Sequence, residues 1–209
     1  VELERRAVLF EAGQRIDHIY FLEAGVASIV SHEDGGEPIE VGLFGREGVS
    51  GIPVLLGAES SPHQCFMQVG PSAALRIDAG IFCDAVNKSD SLRTLLLRWV
   101  QCLMVQFAQT AIANGKNTLP ERLARWLLMC HDRIEGDELG LTHEFMAVML
   151  GVRRAGVTVT LHALVAAGAI RTTRGRLTIV DRAKLQSVAG EAYGGPEAEY
   201  RRLIGAFGK

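Results

Sequence analysis

Over the first eighty residues the hydrophobic positions come in brief runs broken by glycine and polar turns. Val8-Leu-Phe10, Ile19-Tyr-Phe-Leu22, Val26 to Val30, Ile39-Glu-Val41, Cys65 to Val69 and Ala73 to Ile77 each predict a short strand. Ser31-His-Glu-Asp-Gly-Gly36, set between two such runs, is a hairpin signal. Many brief strands with glycine punctuation predict an antiparallel double-sheet body of the jelly-roll kind over residues 1–90. Glycines at 42, 45, 48, 51 and 57 are too frequent for a regular element. They predict a loop whose backbone approaches either a small ligand or another strand closely.

The period then changes. Leu92, Leu95, Leu96, Trp99, Leu103 and Phe107 recur at helical spacing, predicting a long helix over 91–113. Val100, Met104 and Ala111 give it a second apolar flank, so one flank can pack on the strand body while the other needs a partner. The simplest partner is the same helix of a second copy, a two-fold homodimer, with Leu92, Leu96, Trp99, Leu103 and Phe107 assigned to the pairing. A helix buried within one chain is the alternative. Residues 114–118 read as a hinge, and Pro120 opens another helix that runs to Ile134.

Residues 142–164 predict a short helix capped by Thr142, a tight turn at Gly151, and a second helix opening on Arg153 and Arg154. Phe145, Met149, Val152, Val157, Leu161 and Leu164 would wedge the two helices together. Such a pair can set its second helix in a DNA major groove, where an arginine reaches guanine N7 and O6. Two short strands, 166–170 and 177–180, flank the basic turn Arg171-Thr-Thr-Arg-Gly-Arg176 and predict a wing. The winged helix-turn-helix unit spans 119–190, and the tail 191–209 is mixed in charge and carries no signal.

The formal net charge of -2 conceals a division along the chain. Residues 1–115 hold 8 Lys/Arg and 14 Asp/Glu, whereas residues 151–184 hold 7 basic residues and one acid, Asp181. A phosphate backbone responds to local charge, so the second region suits double-stranded DNA. Four single cysteines, at 65, 83, 102 and 130, form no CxxC pair, match neither a zinc nor an iron–sulfur ligand spacing, and read as buried thiols in a reducing cytoplasm. A basic-then-apolar leader and an apolar run of 18 or more are both lacking, so neither secretion nor a membrane span is expected.

Taken together the plan resembles the cyclic-AMP receptor / FNR (Crp/Fnr) family of bacterial transcription regulators. The resemblance covers nearly the whole chain and is strongest over 119–180, on Glu121-Arg-Leu-Ala-Arg-Trp-Leu127, Thr142, Gly151, Arg154 and Gly168-Ala-Ile170. It implies an α+β chain: a cyclic-nucleotide-binding-like jelly roll, a dimerisation helix and a winged helix-turn-helix. By that resemblance Arg154 reads guanine. Arg153 and Thr158 are further base-reading candidates, and Thr142, His162, Arg171, Arg174 and Arg176 are expected on the DNA backbone. Where well-known members place a glutamate and a second arginine on the reading helix, this chain has Ala155 and Val159, so its operator should differ.

The sensor departs further. Gly45-Arg-Glu-Gly48 loosely resembles the family's phosphate loop, but Ser60-Ser-Pro-His-Gln-Cys65 lacks the arginine that holds a cyclic phosphate. Gly45, Glu47, Gly48 and His63 are the candidate effector pocket, for a small molecule of unknown identity. The FNR-type cysteine cluster is absent, and His18, His32 and His63 are weak candidates for haem ligands, so no cofactor or metal is expected. RNA polymerase is the further partner that the resemblance implies. Two rival readings remain at this point: a protein-binding adaptor built on the winged helix, and an enzyme using Glu40, Glu47, His63 or Asp78, residues scattered over different predicted strands and loops.

Overall fold

A computed structural model describes residues 1–32, 36–70 and 72–209; the middle of the predicted hairpin turn, 33–35, lies outside the described residues. Seven N-terminal strands, β1 (Glu2–Leu3), β2 (Val8–Phe10), β3 (His18–Leu22), β4 (Val26–Ser31), β5 (Ile39–Phe44), β6 (Gln64–Val69) and β7 (Ser72–Asp78), form two antiparallel sheets. Their orders are β1-β7-β3 and β2-β6-β4-β5, the expected double-sheet body. β4 is buried on both faces from Val26 to Val30. Ala27 and Ile29 point into the jelly-roll core with Phe44, while Val26 and Val30 join Leu43 in the core of the C-terminal half. One strand thus serves two cores, which is why its apolar residues run on instead of alternating with polar ones.

The glycine-rich segment is more ordered than predicted. Gly42 lies inside β5, and a short helix α1 (Ile52–Leu55) follows Gly51, whose φ of 72° and contact with Ile19 leave no room for a side chain. What the backbone approaches is the long helix: a Cβ on Gly42 would lie 2.3 Å from the Phe107 ring, and one on Gly48 would lie 2.4 Å from Trp99. Helix α2 (Ala79–Lys88) has no counterpart among the predicted elements. Asp78 caps it, its Oδ1 accepting from the Gly80 and Ile81 amides, and Phe82 and Val86 bury its inner side.

The long helix α3 (Asp90–Lys116) runs three residues into the expected hinge. Only Asn117 and Thr118 break the path before α4 (Leu119–His131), where the Glu121 carboxylate accepts from both the Thr118 amide and hydroxyl and fixes the bend. By length and mean hydropathy (1.2) α3 resembles a membrane span, but it packs against α2, β5 and the C-terminal helix. The remaining elements are β8 (Glu138–Leu139), α5 (His143–Leu150), α6 (Arg154–Ala166), β9 (Ile170–Thr173), β10 (Arg176–Ile179), α7 (Arg182–Ala189), a 3-10 turn (Gly190–Ala192) and α8 (Gly195–Leu203). The tail is therefore structural. α8 lies along α3, with Tyr200 edge-on to Trp99 at 6.4 Å and its hydroxyl donating to the Glu47 carbonyl.

The residues assigned to dimer pairing need correction. Leu96, Trp99 and Leu103 are buried within the chain against the jelly roll, and Leu92 and Phe107 are partly buried beside them. The open face of α3 carries Leu97, Gln101, Met104, Ala108, Ala111 and Ile112 instead. Both stripes are apolar in sequence; only the fold decides which one the sheet takes.

Candidate nucleic-acid interface and the seam behind it

The helix-turn-helix is built as the residues require. The Thr142 hydroxyl accepts from the Phe145 amide at 3.1 Å, starting α5. Gly151 ends it in the left-handed region (φ 61°), its amide bonding Val148 O while the Val152 amide bonds Ala147 O. Arg122 of α4 reaches the Leu150 carbonyl at 2.5 Å and ties the turn to the domain core. The chain bends by 111° between α5 and α6, within the range of a helix-turn-helix. Phe145, Met149, Val157, Leu161 and Leu164 are buried together, with Val152 against them.

This packing leaves Arg153 and Arg154 open to solvent at the start of α6. Arg154 is 68% exposed and leans 3.7 Å from Glu144, a contact that water screens to little net energy. Thr158 donates to the Arg154 carbonyl at 3.1 Å and lies 2.9 Å from His143 Nδ1, a residue that sequence reasoning overlooked. Burial, then the Arg154 and His162 charges, hold the His143 pKa below its ordinary value, so it is neutral in neutral solution. His162 is exposed one turn further along.

The wing is shorter than predicted. α6 continues to Ala166, Gly168 turns the chain at φ 71°, and β9 and β10 pair so that only Arg174 and Gly175 form the turn. Arg171 and Arg176 stand in the strands. Both are exposed, as is Arg174, and Arg176 donates to Glu138 at 3.1 Å. Arg153 and Arg154 open onto a cleft of about 740 Å³ between α6 and the β4–β5 hairpin, where Ile39 approaches Gly151.

Behind this surface the two halves meet in a buried polar seam. Arg133 Nε donates to Glu47 Oε1 at 2.7 Å with both side chains at most 5% exposed. Burial works against the Arg133 charge, but Glu47 and Glu197 more than offset it and raise its pKa. Trp126 Nε1 donates to Glu40 Oε1 at 2.7 Å, and Ser28 Oγ lies 2.6 Å from Glu40 Oε2 and also against Gln68 Oε1. One hydroxyl proton cannot serve both acceptors, so the chain is completed by a protonated Glu40 or by a Gln68 amide turned to donate to Ser28. Burial favours the first, pushing the Glu40 pKa up to about 7 against the pull of Ser28, Trp126, Arg125 and Arg133.

The proposed effector residues do not line one pocket. Glu47 is spent on Arg133, Gly45 packs on the Arg133 side chain and donates its amide to Glu47, and Gly48 lies under Trp99. His63, alone of the four, lines a cavity in the jelly roll, with Phe10, Phe44, Ser61, Leu103 and Phe107. Its Nδ1 is buried without a hydrogen-bond partner among the described residues. At about 80 Å³ the cavity is far below the roughly 300 Å³ of an ordinary ligand pocket, so a nucleotide does not fit it as it stands. Glu40, Glu47, His63 and Asp78 likewise converge on no common site: two lie in the seam, one in this cavity, and one caps α2. Cys65, Cys102 and Cys130 are buried, and burial raises all three thiols above their ordinary pKa.

A double-sheet sensor joined through a long helix to a winged helix-turn-helix defines a class of DNA-binding regulators. The sequence matches the family model of the cyclic nucleotide-binding domain over residues 1–89 and that of the Crp-like helix-turn-helix domain over 121–188. The chain belongs to the Crp/Fnr family and is a transcription regulator with a helix-turn-helix DNA-binding domain. No curated protein sequence matches it significantly. Among solved structures it is similar to a CRP-family transcriptional regulator from Thermus thermophilus, with TM-score 0.77 and 19% identity over 93% of this chain and 99% of that one. It is also similar to FixK2 from Bradyrhizobium japonicum, with TM-score 0.74 and 14% identity over 91% and 96% of the two chains. The c-di-GMP responsive regulator CLP of Xanthomonas campestris matches with TM-score 0.66 and 16% identity over 86% and 92%. Identities this low carry the fold and not the ligand.

Proposed function

We propose that the protein works in the cytoplasm as a homodimer on an inverted-repeat operator, by binding and not by catalysis. In this reading α6 enters the major groove, Arg154 reads guanine, and Arg153 and Thr158 make further base contacts. Thr142, His162, Arg171, Arg174 and Arg176 hold phosphates, and the bound dimer blocks or recruits RNA polymerase. The observation that carries the reading is the exposure of Arg153 and Arg154 at the N-terminus of a helix whose other side is locked into the domain core. A helix start adds its own positive dipole end to those two charges.

Dimerisation through the open α3 stripe rests on Leu97, 46% exposed, and Met104, 59% exposed, one heptad apart with no acid between them. Placing Glu at both should convert a dimer to a folded monomer in sedimentation equilibrium and abolish tight operator binding. A monomeric wild type would refute the pairing. A small effector would enter beside His63, and the seam between β4, β5, β6 and α4 carries its influence to the Gly151 turn through Ile39. This contact supplies a route from sensor to reading helix in addition to the short bend at 117–118. Titration of duplex DNA at rising salt tests the whole reading: affinity should fall steeply with ionic strength, whereas a protein adaptor would show no such slope.

A further inference from the structure

Besides Arg154 and Thr158, the solvent side of the first two turns of α6 presents two apolar positions one turn apart, Ala155 and Val159; Ala163, Val165 and Ala166 are exposed further along. Val159 is 70% exposed, the most open large hydrophobic residue among the described residues. A β-branched side chain in an open helix interior lowers helix propensity, and here it buries nothing within the chain in return. Its neighbours on the inner side, Val157, Thr160 and Leu161, account for the packing of the helix without it.

We propose that Val159, flanked by Ala155, reads the 5-methyl group of thymine and so is a specificity-determining residue; the inference rests on the DNA-binding reading above. Polar donors and acceptors make up the rest of the major-groove edge of the bases, and the thymine methyl is its apolar feature. A helix turns about 100° and rises about 1.5 Å per residue, which sets Val159 about 140° round from Arg154 and about 7.5 Å further along, in line with Ala155. With Arg154 on a guanine, the methyl therefore belongs to a thymine within a few base pairs of it, at a spacing fixed by how α6 lies in the groove. Ala155 is short enough to let the backbone approach, so the Val159 methyl groups can meet the thymine directly.

The test is selection of bound duplexes from two random libraries, one made with thymine and one with uracil, which pairs alike but lacks the methyl. The thymine library should yield half-sites in which a guanine is followed at fixed spacing by a thymine. Replacing that thymine alone by uracil should weaken binding about fourfold, the worth of one buried methyl group. Val159→Ala should bring this ratio close to one while the guanine preference stays, and Arg154→Ala should do the reverse. Equal affinity for the thymine and uracil duplexes overturns the inference and leaves DNA binding intact, as does a Val159→Ala variant that keeps the full ratio. Failure to enrich fragments from either library overturns DNA recognition, and the inference with it. Circular dichroism of Val159→Ala should match wild type and its unfolding midpoint should equal or slightly exceed it, because the exposed side chain contributes little packing and Ala is the better helix former.

Discussion

Arginines on the reading face and arginines in the seam are chemically identical and structurally opposite. Arg153, Arg154, Arg171 and Arg174 are exposed, whereas Arg125 and Arg133 are buried among carboxylates, and Arg182 donates to Asp132 at 2.6 Å and to Tyr193. The first group keeps its charge for an outside partner; the second spends it within the chain. The seven basic residues in 151–184 therefore overstate the charge facing DNA, since Arg182 turns inward and Lys184 leans on Asp181 at 3.7 Å. A charge count along a sequence locates a basic region but cannot separate a reading surface from a latch.

The comparison breaks most sharply at Arg133. Arg133→Ala leaves Glu47 buried and unpaired, and should cost about 3–5 kcal/mol in urea unfolding, against almost nothing for Arg153→Ala. Glu40 gives the next largest effect, through pH. Its folded pKa, about 7, lies above the ordinary value of 4.5, so the folded state retains a proton that the unfolded chain has lost. Its contribution is complete below about pH 4.5 and is lost as pH rises through 7. Glu40→Gln should flatten that part of the stability profile, measured as unfolding midpoint against pH. A profile of unchanged slope would contradict a protonated Glu40.

On the open face the signs reverse: binding changes while stability holds. Arg154→Ala should lose about 1–3 kcal/mol of operator affinity, relax preference at one base pair, and leave the unfolding midpoint in place. Arg174→Ala should do least, weakening all duplexes alike and lowering the slope of log affinity against log salt by about 1. If Arg154→Ala destabilised the fold as Arg133→Ala does, the division into two groups would fail.

Much of the plan was legible because local rules and tertiary packing agree. Thr142, Gly151 and Gly168 stand where caps and left-handed turns are needed, and the apolar wedge from Phe145 to Leu164 is the buried one. The failures have a shared cause. Leu92 to Phe107 and Leu97 to Ile112 are both apolar stripes, and only the position of the sheet decides which is covered. Glu47 looked like part of a phosphate loop because its partner Arg133 lies 86 positions away. α8 escaped notice because its apolar anchors are few, Tyr200 and Leu203, and its burial depends on Trp99 being there to receive it. β4 carries the signal of its second partner in its sequence, since a run with apolar residues on both faces implies that something packs on the outer side of the sheet.

The central claim is that paired copies of α6 read DNA from the Arg154 end. Selection of bound fragments from random duplex DNA tests it most directly. The account predicts a two-fold symmetric consensus with a guanine in each half, half-site centres about one helical turn apart, and loss of that guanine in the Arg154→Ala selection. A consensus without two-fold symmetry, or one that Arg154→Ala leaves unchanged, would contradict it.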